Sequence, residues 1–151
     1  MYHACATHLA PLDQIQRRFL REIGVSELDA LVHFKLAPLE VRRDIAMLGV
    51  IHRAVLGKGP QQLQRFFQPV DRPASIFHTR LASRRHSRQL EEMKSGHFLE
   101  VMRRSALGLR SVYNLLPEFV VGQCSVKCFQ GCLQSMVKEP GQQRNAHDSI
   151  P

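Results

Sequence analysis

The sequence predicts a small, mainly α, irregular helical domain with a basic, loosely ordered central connection and a C-terminal helix. Three observations carry this. Apolar residues recur at helical spacing in several windows, and glycine and proline stand where helices stop and start. At 151 residues with 44% apolar content, the chain is long enough for one core and too short for two comfortable ones.

The first helix is expected over 11–23. Pro11 opens it; Leu12, Ile15, Phe19, Leu20 and Ile23 mark one face, Arg17, Arg18 and Arg21 the other, and Gly24 ends it. Ser26 then reads as an N-cap with Asp29 as a weak capping box, giving a short helix over 26–35 that carries Leu28, Leu31 and Val32. It runs out near Phe34 or Lys35, because Pro38 restrains Ala37. The longest helix, 38–57, follows and holds the largest apolar block, so the others are expected to pack around it. Pro38 suits its first position, and Glu40 and Asp44 its early turns. Leu39, Ile45, Leu48, His52, Val55 and Leu56 form a stripe that Met47, Val50, Ile51 and Ala54 widen, and Gly57, Gly59 and Pro60 stop it. A short helix over 61–67 directs Leu63, Phe66 and Phe67 to the same core, and the segment 11–69 reads as one helical domain.

Character changes over 70–97. Arg72 to Arg88 contains five arginines, no acids, and His78 and His86, so this segment is expected to be an extended or disordered basic connection. Segment 98–138 is the C-terminal helical unit. There Val112, Tyr113, Leu115 and Leu116 lead into Pro117, Val120 and Val121 precede a turn, and Ser125 caps a helix over 125–138. That helix carries Val126, Phe129, Leu133, Met136 and Val137, with Gly131 inside it at a cost of ~1 kcal/mol. A polar tail occupies 139–151, and no internal repeat is present.

Charge is the strongest global signal. A formal charge of +8 and a pI near 9.9 suggest an acidic partner, nucleic acid before anionic membrane. The bland alternative is an Arg-rich solvated surface. Arg72, Arg80, Arg84, Arg85 and Arg88, continued by Arg103, Arg104 and Arg110, are the candidate phosphate contacts, since cationic side chains that converge suffice and Arg adds bidentate geometry. Arg17, Arg18 and Arg21, with Arg42, Arg43 and Arg53, extend the patch, and Phe77 and Phe98 are candidates to stack on unpaired bases.

Cysteines at 5, 124, 128 and 132 are too crowded for a secreted disulfide framework, and neither a leader nor an apolar run of ~20 residues is seen. An intracellular protein of the nucleus or cytoplasm, with reduced thiols and without membrane attachment, is expected. Cys124, Cys128 and Cys132 drift only about 40° per step on a helix. With His147 they could bind zinc, but a straight helix spaces the sulfurs too widely for one tetrahedron, and small core or surface thiols are the simpler reading. No metal or other cofactor is therefore assigned. His52 reads as a satisfied core histidine, and His78, His86 and His97 as solvated. No signature for a catalytic Cys or Ser is present.

Two blocks carry a resemblance. The first holds Leu12, Gln16, Arg17 and Arg18, then Leu36, Pro38, Leu39, Arg42 and Arg43; the second holds Tyr113, Asn114, Leu116 and Pro117, then Ser125 and Phe129. Their order and spacing, from about Leu12 to Val137, resemble the C-terminal region of LINE-type non-LTR retrotransposon reverse transcriptases, downstream of the polymerase palm. Ala37 is an extra residue between Leu36 and Pro38, Tyr113 stands where that family usually has Trp, and Gln130 where it has Lys, which suits a divergent or decayed copy. The resemblance implies a non-catalytic fragment that contacts RNA or DNA backbone nonspecifically, partnered by upstream reverse transcriptase domains. Polymerisation needs clustered carboxylates holding two metals. The chain has no Asp-Asp pair, and its only adjacent acids are Glu91 and Glu92, so no enzymatic activity is expected. The rival readings are a helical protein-interaction module with incidental charge and a decayed reading frame with no present function.

Overall fold

In a computed structural model of the chain the described residues are 6–70, 86–91 and 106–148, with side chains described over 8–70, 86–91 and 107–138. Their fold is mainly helical, in this order: α1 (Ala6–Glu22), α2 (Glu27–Val32), α3 (Leu39–Val55), α4 (Gln61–Gln64), a 3-10 turn (Ala106–Gly108), α5 (Leu109–Asn114), α6 (Glu118–Val121) and α7 (Val126–Asp148). No strand occurs among the described residues; an isolated antiparallel bridge pairs Pro69 with Leu90. Two units form, one from 3–46 and 131–151, the other from 47–130, so α3 and α7 each contribute to both.

In the first unit, α1 begins five residues before Pro11 rather than at it. The missing N–H of Pro11 forfeits one bond to the carbonyl four residues back, and the early turns tolerate it. Gly24 closes α1 at φ 70°, a left-handed conformation that glycine adopts without strain. Ser26 caps α2 as the spacing predicts: its Oγ accepts the Asp29 N–H at 3.0 Å and donates to Asp29 Oδ2 at 2.7 Å. Two side chains of α1 tie it to the 37–43 stretch. Gln16 Nε2 donates to the Ala37 carbonyl at 3.2 Å, and Arg43 donates to both carboxylate oxygens of Asp13 at 3.0 and 3.1 Å.

The apolar face of α1 is not a core face. Leu20 alone is buried, while Leu12, Ile15, Phe19 and Ile23 are 50%, 64%, 52% and 52% exposed. Helical periodicity identifies an apolar stripe but not whether anything covers it. On α3 the expected stripe is covered in part: Ile45, Leu48, Ile51, His52 and Ala54 are buried, Leu39, Met47, Val55 and Leu56 half-buried, and Val50 is exposed; the chain turns out of the helix at Gly57, φ 69°.

In the second unit the 61–67 helix shortens to Gln61–Gln64 before turns, burying Phe67 but leaving Phe66 exposed. The helix begun after Ser125 passes Lys138 and Pro140 and ends at Asp148, beyond the expected boundary. Residues such as Gln, Arg and Ala in that stretch sustain helix by propensity although they provide no apolar periodicity to read. The basic connection lies outside the described residues except for 86–91, which form an ordered turn: Val70 N–H donates to the Gln89 carbonyl at 2.8 Å, and Leu90 is buried. No helix among the described residues is long and apolar enough to cross a membrane.

Candidate functional site

The polar centre of the second unit gathers around Tyr113 on α5. His52, placed on the buried face of α3, brings Nδ1 within 2.9 Å of Tyr113 Oη and Nε2 within 2.9 Å of the Gln123 carbonyl. A carbonyl only accepts, so Nε2 carries the proton, and Nδ1 accepts from the Tyr113 hydroxyl. Phe129 of α7 stacks on the imidazole, 4.1 Å between centroids and 5° from parallel. His86 repeats the arrangement: Nε2 donates to the Tyr113 carbonyl at 3.0 Å, and Nδ1 accepts the Arg88 N–H at 3.1 Å.

Both rings are therefore neutral and fully partnered. Burial lowers both pKa values below 6.5; for His52 the Gln123 carbonyl opposes that shift, and for His86 the Tyr113 carbonyl and then Glu118 do. Burial also raises the Tyr113 phenol above its usual range. His52 confirms its expected core role. His86 does not stand in solvent as expected but is 5% exposed, because two backbone groups satisfy its nitrogens; its polar sequence neighbours hide that. Neither ring has a nitrogen left for a substrate.

Asn114 and Glu118 hold the 86–91 turn in place. Asn114 Oδ1 accepts the Leu90 N–H and Nδ2 donates to the Leu90 carbonyl, each at 2.8 Å. Glu118 accepts the Ser87 N–H through Oε2 and the Ser87 hydroxyl through Oε1, each at 2.7 Å. Those donors, the N–H first, lower the Glu118 carboxyl pKa.

The predicted arginines divide into three groups. Arg72, Arg80, Arg84, Arg85, Arg103 and Arg104 lie outside the described residues, as do Phe77, Phe98, His78, His97 and Cys5. Arg88 and Arg110 serve the fold: Arg88 donates to the Val121 and Gln123 carbonyls, and Arg110 to the Phe66 and Glu91 carbonyls while lying 5.5 Å over the Phe67 ring. Arg17 and Arg18 remain at the surface, 63% and 78% exposed, in ion pairs with Glu27 at 3.5 Å and Glu22 at 2.9 Å. Arg21 and Arg42 are exposed with no ion pair among the described residues. Lys58 Nζ, unsingled in the sequence, donates to the Cys124 carbonyl at 3.0 Å.

A cleft of about 230 Å³ in the first unit, lined by Asp13, Gln16, Arg17, Glu27 and Leu39, is smaller than the ~300 Å³ at which ligand pockets begin. Cys124 and Cys128 are exposed and Cys132 half-buried, all as free thiols, and no cluster of three or more metal-ligating side chains occurs among the described residues. With this geometry in place, comparison with known proteins adds no relative: no family model, curated protein or solved structure matches the chain.

Proposed function

We propose that the chain is a non-catalytic helical unit that contacts RNA or DNA through phosphates, akin to the region after the palm in LINE-type reverse transcriptases. The observation that carries this reading is the set Arg17, Arg18 and Arg21, all exposed on α1, with Arg17 and Arg21 opposite the stripe of Leu12, Ile15, Phe19 and Ile23 and Arg18 at its flank, in a chain of formal charge +8. The two ion pairs on that set are exposed and worth only ~0–1 kcal/mol each, so phosphate competes with them readily. The resembling residues also have structural work consistent with a divergent relative. Tyr113 donates a hydrogen bond to His52, a task for which the indole N–H of the family's usual Trp is also a donor.

A salt titration of binding to a random oligonucleotide tests the reading. Binding should weaken steeply with salt, and replacing Arg17, Arg18 and Arg21 by Gln should flatten the slope by up to ~0.7–0.9 per lost contact. Absence of binding at low salt, or an unchanged slope in the variant, would refute it.

A second reading, a protein-interaction module, is favoured by the half-exposed apolar stripe of α1. An upstream domain of a longer parent is the partner it would suit. Replacing Ile15 and Phe19 by Ser should then reduce the binding of an exposed-surface dye and leave oligonucleotide affinity unchanged.

A further inference from the structure

Ser87 is the only serine or threonine in the chain preceded by arginine at both the second and third positions before it, as Arg84-Arg85-His86-Ser87. Kinases select substrates by charge pattern, and a paired-arginine approach suits an acidic substrate groove. The structure adds what lies around the acceptor. Ser87 is exposed, and its hydroxyl donates to a carboxylate, Glu118 Oε1, at 2.7 Å, while its N–H donates to Oε2 of the same group. The residues beside it are buried anchors: His86 under Tyr113, and Leu90 held by Asn114. Arg88 keeps its guanidinium on the carbonyls of Val121 and Gln123, so among the described residues the charged group bonded to the hydroxyl is the Glu118 carboxylate.

We propose that Ser87 is the phosphoacceptor for an arginine-directed serine kinase, and that its phosphate releases the 86–90 turn from Glu118. In the transfer, Ser87 Oγ bonds to the γ-phosphorus of a nucleoside triphosphate as the bond to the β-phosphate oxygen breaks. The nucleoside diphosphate leaves, and the hydroxyl proton passes to the kinase's carboxylate base. The product has no Oγ proton to donate. It sets a charge of about −1.5 to −2 against Glu118, a placement that disrupts by like-charge repulsion. The Ser87 N–H bond is lost with it, and His86, Arg88 and Leu90 lose the clasp that holds their turn against α5 and α6. The inference does not rest on the nucleic-acid reading.

The test uses the full chain, the catalytic subunit of an arginine-directed serine kinase and Mg-ATP, with the site mapped by mass spectrometry. One phosphoryl group should appear on Ser87, and Ser87→Ala should remove nearly all incorporation. In the phosphorylated chain the Ser87 and Leu90 amides should exchange hydrogen at least about tenfold faster, while the Ala30 amide of the first unit keeps its rate. Glu118→Gln retains an acceptor but removes the repulsion, so phosphate should accelerate exchange less in that variant than in the parent. Incorporation elsewhere, or undiminished in Ser87→Ala, overturns the site. Unchanged exchange, or equal acceleration in Glu118→Gln, overturns the release.

Discussion

Replacing Tyr113 by Phe removes one oxygen from the centre of the second unit and leaves the ring. The magnitude follows from what that oxygen does. His52 is 0% exposed, and its Nδ1 has Tyr113 Oη as its partner. A stranded buried acceptor is destabilising by ~1–3 kcal/mol, a factor of roughly 5–150 in the unfolding equilibrium. Moving the proton from Nε2 to Nδ1 offers no escape, because two lone pairs would then meet at the Gln123 carbonyl, 2.9 Å away. With a urea m-value near ~2 kcal/mol/M, the midpoint should fall by about 1 M at pH 7.5, with m unchanged. A cycle with His52→Leu sharpens the test, since the double variant strands neither partner and should be more stable than the two single losses predict when added. A Tyr113→Phe midpoint within error of the parent, or strict additivity in the cycle, would refute the assigned bond.

Other perturbations follow from the same geometry. His52 and His86 have lowered pKa values, so below pH ~6.5 the unfolded chain binds more protons than the folded one, and stability should fall as pH drops through that window. Glu118, also lowered, loses stability in the same direction at more acid pH, and urea midpoints between pH 8 and pH 4 check both. Gly24→Ala should be destabilising by about 1–2 kcal/mol, because φ 70° is strained for any Cβ although nothing lies within 4 Å of one there. Arg88→Gln should be destabilising by about 1–3 kcal/mol in thermal unfolding, since its guanidinium bonds two carbonyls of the second unit. Asp13→Asn should be destabilising by roughly 1 kcal/mol through its part-buried partner Arg43, and Arg43→Met with it should lose less than the sum.

Local rules explain what was legible. Ser26 and Asp29, Gly24, and Gly57 mark helix ends through bonds and dihedrals among near neighbours, which a sequence displays directly. His52 could be placed in the core because it falls on an apolar stripe. His86 could not, since its partners are the Tyr113 carbonyl 27 residues away and the Arg88 N–H, and backbone groups leave no trace in residue identity. The same holds for Arg110 on Phe66, and for Asn114, whose amide mimics a strand neighbour for Leu90. The α1 stripe shows the opposite failure, a clear periodicity whose cover the pattern does not specify.

Arginine plays two roles in this chain, and the distinction bears on any phosphate interface. A guanidinium carries five donors, so a carbonyl cluster and a phosphate recruit the same chemistry. At Arg88 and Arg110 the donors face backbone carbonyls across 33 and 44 residues of sequence, and neutralising either would loosen the second unit as well as remove charge. Arg17, Arg18 and Arg21 sit on one exposed face of a single helix, where at most weak ion pairs compete. A loss of oligonucleotide binding in an Arg88 variant would thus be ambiguous between lost contact and lost fold. The same loss in the α1 triple variant, with its urea midpoint unchanged, would report on phosphate contact alone.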